Sequence, residues 1–172
     1  MIYELVEPYD QALMTKTERF SFSNPPIDPV ELANNLIETM IHNKGLGLAA
    51  NQCGLPYRCF VLHSEKPLAV FNPFIADVTS EHVMLDEGCL TYPNLFVKIK
   101  RPKSIKARFQ DAHGEWHTEK FTGVTARTFQ HEYDHLEGFN FTKRANLLHL
   151  TRAQNEKKQL DRQLRKLQAI AK

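Results

Sequence analysis

The residues best suited to chemistry lie in one short run, His131-Glu132-Tyr133-Asp134-His135. On a helix, residues four apart share a face, so both imidazoles can reach one cation. Glu132 projects from the neighbouring turn, close enough to hold a water on that cation. In this HExxH arrangement the histidine pair binds metal and the glutamate is the base. The competing reading is a solvated helix with two unrelated histidines, because five-residue patterns also arise by chance. A catalytic site wants three protein ligands and one open position. The third ligand is then a distant Asp, Glu, His or Cys.

Glu87-Gly88-Cys89-Leu90-Thr91 offers a thiolate, and Gly88 allows close backbone approach. Cys89 could equally be a small buried apolar residue, the commonest fate of a free cysteine. A third segment, Gly45-Leu46-Gly47-Leu48-Ala49-Ala50-Asn51-Gln52, is a run of small residues ending in an amide. Its glycines permit close approach to a ligand, and a side-chain amide is a good donor to a developing oxyanion. The plainer reading of this run is a helix end leading into a tight loop.

In this order and at these separations, the three segments resemble the peptide deformylases, whose motifs are GxGLAAxQ, EGCLS and QHExDHLxG. The likeness extends over Asn72-Pro73-Phe74-Ile75 and the 111–123 hairpin, roughly residues 5–145. It implies Cys89, His131 and His135 as metal ligands and Glu132 as general acid/base. It implies Gln52 and the Leu90 N–H as an oxyanion hole, and Gly47 as the residue whose backbone pairs with a bound peptide. Leu46, Val124 and Thr128 fall where the family shapes the pocket for the first side chain. Arg101 aligns with an arginine that supports the second-motif glutamate, predicting a Glu87–Arg101 pair. The implied activity is removal of the N-formyl group from the initiator methionine of nascent polypeptides. The implied metal is Fe2+, with Zn2+, Ni2+ or Co2+ as possible substitutes. Thr91 stands where serine is usual, Cys53 where valine is common, and Phe96 where some members have arginine. An HExxH metallopeptidase would usually have Glu or His as third ligand, so the EGCLT segment speaks against it. A closed structural metal site would need a fourth protein ligand, and none stands out.

Around these segments the sequence predicts an α+β fold. Antiparallel strands and hairpins should pack around a central helix carrying the HExxH run, with a helix at the C-terminus. Asp28, Pro29 and Glu31 announce a helix over 29–43 with a capping box, and Gly45 is a natural stop. Strands are expected at 57–62, at 69–71 before an Asn72-Pro73 break, at 95–101, at 104–110 and at 115–121. Trp116 is expected to cap a small core, and the remaining histidines to serve surface or hairpin roles. The central helix should run from Val124 to about Gly138. A last helix should start near Asn146, with Leu160, Leu164, Leu167 and Ala171 on one face.

Charge divides the chain into two parts. Residues 150–172 carry seven Lys/Arg and two Asp/Glu, whereas the remainder holds fifteen and eighteen, a net of −3. Residues 1–149 therefore read as the catalytic domain, and 150–172 as a basic amphipathic helix. Its basic face is a hint of nucleic acid, and the resemblance implies ribosomal RNA as the partner. Three cysteines without a CxxC pair argue against a disulfide framework. No apolar run reaches transmembrane length, and no basic-then-apolar leader opens the chain. A cytoplasmic location is the expectation.

Overall fold

The computed structural model describes residues 1–170. A short helix α1 (Gln11–Met14) precedes α2 (Pro29–His42), followed by strands β1 (Gly47–Ala49), β2 (Cys59–Leu62), β3 (Leu68–Val78), β4 (His82–Cys89), β5 (Tyr92–Pro102), β6 (Ser104–Gln110) and β7 (Trp116–Thr122). The central helix α3 is Gly123–Leu136 and the terminal helix α4 is Leu147–Ile170. Five strands form an antiparallel sheet in the order β1-β2-β3-β6-β7, and β4 pairs with β5 as a separate hairpin. The α+β expectation holds in its antiparallel strands and C-terminal helix.

The sheet lies between the two longer N-terminal and central helices, which explains the uninterrupted apolar run of β2. All four of its residues are buried, as expected of a strand covered on both faces. Phe60 and Leu62 join Ala126, Phe129 and Leu136 of α3 in one core. Cys59 and Val61, pointing the other way, join Leu32, Leu36 and Met40 of α2 in a second. A third core holds the hairpin, where Leu95, Val97 and Ile99 of β5 meet Phe141, Leu150 and Ala153.

Several sequence expectations are refined by this arrangement. The Asp28 carboxylate accepts the Glu31 N–H at 2.8 Å, the N-terminal half of the expected capping box. At the other end of α2 the left-handed residue is Lys44, with φ of 57°, not Gly45. Gly45 instead lets Leu90 pack close, since a Cβ there would sit 2.7 Å from Leu90 Cδ1 and displace that side chain. The strand expected at 57–62 begins at Cys59, with Tyr57 bridging Glu18. Strand β4 has no sequence signature, because Glu87 is its only fully buried residue. Trp116 does not cap a core; it is 46% exposed and stacks under the Arg108 guanidinium. In α4, Asn146 caps the first turn through the His149 N–H. Only Ala153 of α4 is fully buried, and Leu160, Leu164 and Leu167 remain partly or largely exposed. Ala171 lies outside the described residues.

The expected break at Asn72-Pro73 is a bulge inside a continuous strand, since the β3–β6 register shifts between Phe71 and Phe74. Asn72 adopts φ of 50°. Its amide accepts the Phe20 N–H at 2.8 Å and donates to Phe20 O and Gln110 Oε1 at 2.9 Å each. The side chain therefore replaces the ladder bonds that Pro73 and the bulge remove. Asn72→Ala should strand these buried partners and lower unfolding free energy by about 2–4 kcal/mol. Urea denaturation measures it; a loss below about 1 kcal/mol would mean that water satisfies them.

Candidate metal centre

Helix α3 turns Phe129 and Leu136 into the sheet and leaves His131, Glu132 and His135 facing β1 and the β4–β5 hairpin. Strand β4 delivers Cys89 at its last residue, after a register irregularity that follows Glu87. The Cys89 Sγ and one nitrogen from each of His131 and His135 lie within 4.8 Å of one another. Sγ and His135 Nε2 are 3.3 Å apart. The other ring nitrogen of His131, Nδ1, lies 3.2 Å from Glu87 Oε2. A proton on Nδ1 donated to that carboxylate leaves the Nε2 lone pair free, the state a metal ligand requires.

Glu87 is the hub of a buried ionic network. Arg101 reaches it with a bidentate pair, Nε to Oε1 at 2.6 Å and Nη2 to Oε2 at 2.8 Å. Arg127 adds Nη1 to Oε1 at 2.5 Å and ties itself to the Val83 and Ile99 carbonyls. The third Arg101 nitrogen donates to Asp134 Oδ2 at 2.9 Å, and Asp134 also accepts from both Nε and Nη2 of Arg144. The Glu87–Arg101 pair expected from the sequence is therefore present. Asp134 is neither solvated nor bonded to a histidine of the cluster; it holds Arg101. Burial works against ionisation of Glu87, but hydrogen bonds from Arg101 and His131 outweigh it and bring its pKa down to about 2.

The cysteines show how environment separates identical side chains. Burial pushes the Cys53 thiol up to about 12 and raises Cys59 as well. Cys53 is partly buried against the second core. Burial also opposes ionisation of Cys89, yet the His135 charge and hydrogen bonds from both imidazoles hold its thiol well below the usual range. Cys89 alone is electrostatically prepared to be a thiolate donor.

Gln52 is held by both ends of its amide. Its Oε1 accepts the Ala49 N–H at 2.8 Å, so Nε2 turns toward Thr91 Oγ1 at 3.1 Å and Cys89 Sγ at 3.4 Å. Glu132 is buried, and its Oε2 has no hydrogen-bond partner. Its other oxygen lies against the β1 backbone, where a Cβ on Gly47 would be 2.6 Å from Oε1. Burial pushes the Glu132 carboxyl up to about 7, opposed in part by the charges of His131 and His135. Leu46, Gly47, Gln52, Cys89, Leu90, Val124, Thr128, His131 and Glu132 line one cavity of about 660 Å³. His135 is sealed behind it, 2% exposed. The ten residues implied as ligands, acid/base, oxyanion hole and peptide pocket thus lie in or directly behind one cavity. Arg127 and Arg144 were missed, and β5 shows what signal exists: Arg101 falls in phase with buried Leu95, Val97 and Ile99. A second grouping, Asp111, Glu115 and His117, sits in the β6–β7 hairpin. There the Asp111 oxygens are already engaged by the His113 and Glu115 N–H groups and by His117.

An antiparallel sheet packs against a helix carrying two histidines and a buried glutamate, and a cysteine completes a three-donor cluster that could hold a metal ion. The family model described as polypeptide deformylase matches residues 2–151, and the chain belongs to that family. It is 47% identical over 104 residues to the peptide deformylase of Thermotoga maritima, covering 60% of this chain. The match spans only 63% of that relative's length. The crystal structure of peptide deformylase from Thermotoga maritima superposes with a TM-score of 0.81 at 36% identity, covering 85% of this chain and 99% of that one. A Met-Ala-Ser-bound class I type b peptide deformylase from Acinetobacter baumannii gives a TM-score of 0.79 at 25% identity, covering 84% and 98%.

The low Glu87 pKa sets a pH dependence. A carboxyl lowered from about 4.3 in the unfolded chain to about 2 contributes stability present above that unfolded value and lost as pH falls toward 2. The contribution is on the order of 3 kcal/mol. Glu87→Gln should be less stable than the parent at pH 7, and the gap should narrow between about pH 4.5 and 2. Urea midpoints of chelator-treated samples measure it. A gap that stays constant across this range would show that Glu87 is not the ionised hub.

Proposed function

We propose that this protein is a metal-dependent hydrolase that removes the N-formyl group from the initiator methionine of nascent polypeptides. The observation that carries the reading is the convergence of three donor groups, an orphaned carboxylate oxygen and an aimed amide in one cavity. The donor set fits a catalytic divalent ion: Cys89, His131 and His135 would hold it, and no fourth His, Cys, Asp or Glu joins them among the described residues. Once bound, the metal, proposed as Fe2+ with Zn2+, Ni2+ or Co2+ able to substitute, would supply Lewis acidity and lower the pKa of water.

The remaining work falls to the chain. Glu132 Oε2 takes the proton of the attacking water and later returns it to the leaving amine. The Gln52 Nε2 and the Leu90 N–H donate to the oxygen that gains charge as the formyl carbon becomes tetrahedral. Gly47 lies on the outer strand of its sheet, where its backbone pairs with the peptide as an added strand. Leu46, Val124 and Thr128 shape the pocket for the methionine side chain. The tight contact of Gly47 with Glu132 leaves little room at the reacting carbon, which favours a formyl hydrogen over an acetyl methyl.

Residues 1–149 form the catalytic unit in this reading. The basic face of α4 then contacts ribosomal RNA, so co-sedimentation with ribosomes should fall steeply with salt and disappear in a chain ending near residue 150. Equal co-sedimentation of the truncated chain would remove that role. No described helix is long and apolar enough to cross a membrane; the site of action in this reading is the cytoplasm, where nascent chains emerge.

Metal-replete protein should hydrolyse formyl-Met-Ala-Ser efficiently, acetyl-Met-Ala-Ser very slowly, and casein not at all. Glu132→Gln should retain metal while kcat/KM falls about 10²–10⁴-fold. Casein cleavage with formyl-Met-Ala-Ser untouched would instead identify an endopeptidase. Undiminished turnover in Glu132→Gln would assign the proton to another group.

A further inference from the structure

The five-stranded sheet is finished differently on its two faces. Toward α3, strands β6 and β7 turn Ile105, Ala107, Phe109 and Phe121 into the first core. The other face is covered at its β1–β2 end, where Leu32, Leu36 and Met40 of α2 meet Cys59 and Val61, and the cover reaches Phe71 of β3. Beyond Phe71 that face continues over β3, β6 and β7 with its side chains exposed. An open sheet face in water ordinarily carries polar side chains. This one also carries two large aromatic ones, Phe74 at 61% and Trp116 at 46% exposure.

The strand register gathers them with a set of cations. Phe74 of β3 pairs with Arg108 of β6, and Arg108 pairs with Thr118 of β7, so the three side chains share one face. Trp116 lies two residues along β7 on that face, and the Arg108 guanidinium sits 4.6 Å from its ring centroid. Lys106 and Lys120 are direct register partners, both exposed on the same face. Like charges directly opposite each other destabilise a sheet. Asp77 stands opposite Lys106 in β3. Among the described residues, however, no ion pair engages Lys106, Arg108 or Lys120. An anion bound across this face would relieve the repulsion that the fold leaves in place.

We infer that this open face of β3, β6 and β7 binds single-stranded RNA. Each part of the surface matches a part of that ligand. Unpaired bases stack on aromatic rings and on guanidinium planes, which Phe74 and the Arg108–Trp116 pair present. Phe74 and Trp116 stand two strand spacings apart across the sheet, about 10 Å, so they take different bases. Lys106 and Lys120 meet the phosphates. The Thr118 hydroxyl, opposite Arg108, is placed for a ribose 2′-OH, the group that tells RNA from DNA. A duplex hides its base faces from such a platform, and an acidic peptide would satisfy the lysines but leave both rings uncovered. The surface lies on different elements from the metal cavity and from α4, so it depends neither on the proposed reaction nor on the basic helix.

Trp116 is the only tryptophan in the chain, so its fluorescence reports on this face alone. The metal-loaded full chain is titrated with a short oligouridylate, with the oligodeoxyuridylate of equal length, and with polyglutamate as an anion without bases. Oligouridylate should quench Trp116, and polyglutamate should not. The deoxy strand should bind about threefold more weakly. With three cations engaged, affinity for the RNA should fall about a hundredfold for a tenfold rise in salt. Anisotropy of a labelled oligouridylate then compares variants whose circular dichroism matches the parent. Phe74→Ala and Trp116→Ala should each bind about tenfold more weakly, while Trp116→Phe, which keeps a stacking ring, should stay within about twofold. RNA that binds without quenching Trp116, or equally well to the parent and both alanine variants, would overturn the site and leave any RNA contact to α4. Equal quenching by polyglutamate would make the face a site for acidic peptides, and equal affinity for the deoxy strand would overturn the choice of RNA.

Discussion

Burying a carboxylate costs several kcal/mol unless it is paired and hydrogen-bonded, and Glu87 is buried on a strand with almost no apolar anchor of its own. Its compensation comes from three other places in the chain: Arg101 from β5, Arg127 and His131 from α3. The same Arg101 engages Asp134 of α3, which in turn holds Arg144 of the turn at Phe141–Arg144. One anion therefore fixes the distance between the hairpin that delivers Cys89 and the helix that delivers the histidines. Ionic networks of this kind contribute less to net stability than to a unique geometry, because their attraction is offset by desolvation. At this centre the geometry is the useful product: it sets the tautomer of His131 and the separation of sulfur from nitrogen.

The rest of the molecule supplies rigidity around that hub. Strand β2 is covered on both faces, so β1 beside it cannot tilt without disturbing two cores. That anchors Gly47 against Glu132 and Ala49 against Gln52, and so controls the carboxylate and the amide by backbone position rather than by side-chain packing. The terminal helix is different in kind. It is fastened at its start through Leu150 and Ala153 and continues with its leucines partly uncovered. It takes no part in the Glu87 network, but it backs the cavity wall, where Asp161 accepts from the cavity-lining Asn94 at 3.1 Å.

How much of this was legible in the sequence depended on whether a residue acts locally or across the fold. The α2 start could be read because Asp28 and Pro29 act within one turn. The shared face of His131 and His135 could be read because a four-residue spacing produces it without help from elsewhere. Strand β4 could not, since its pairing with β5 carries it and its exposed Met84 and Leu85 show no alternation. Asn72 looked like a break because the sequence shows Pro73 but not Phe20, which lies 52 residues away and receives the Asn72 amide. Arg127 and Arg144 carried no signal in the sequence, and only tertiary contact reveals that they meet buried carboxylates. The apolar phase of β5 did contain the clue for Arg101, and the resemblance supplied its partner.

Cys89 and the two histidines are proposed to act together on one ion, held in register by Glu87. Extended X-ray absorption at the metal edge, on protein loaded with a single divalent metal, tests it most directly. One sulfur and two imidazole nitrogens are expected around the ion in the parent chain, with loss of the sulfur alone in Cys89→Ser. A coordination sphere of nitrogen and oxygen without sulfur in the parent protein would contradict it.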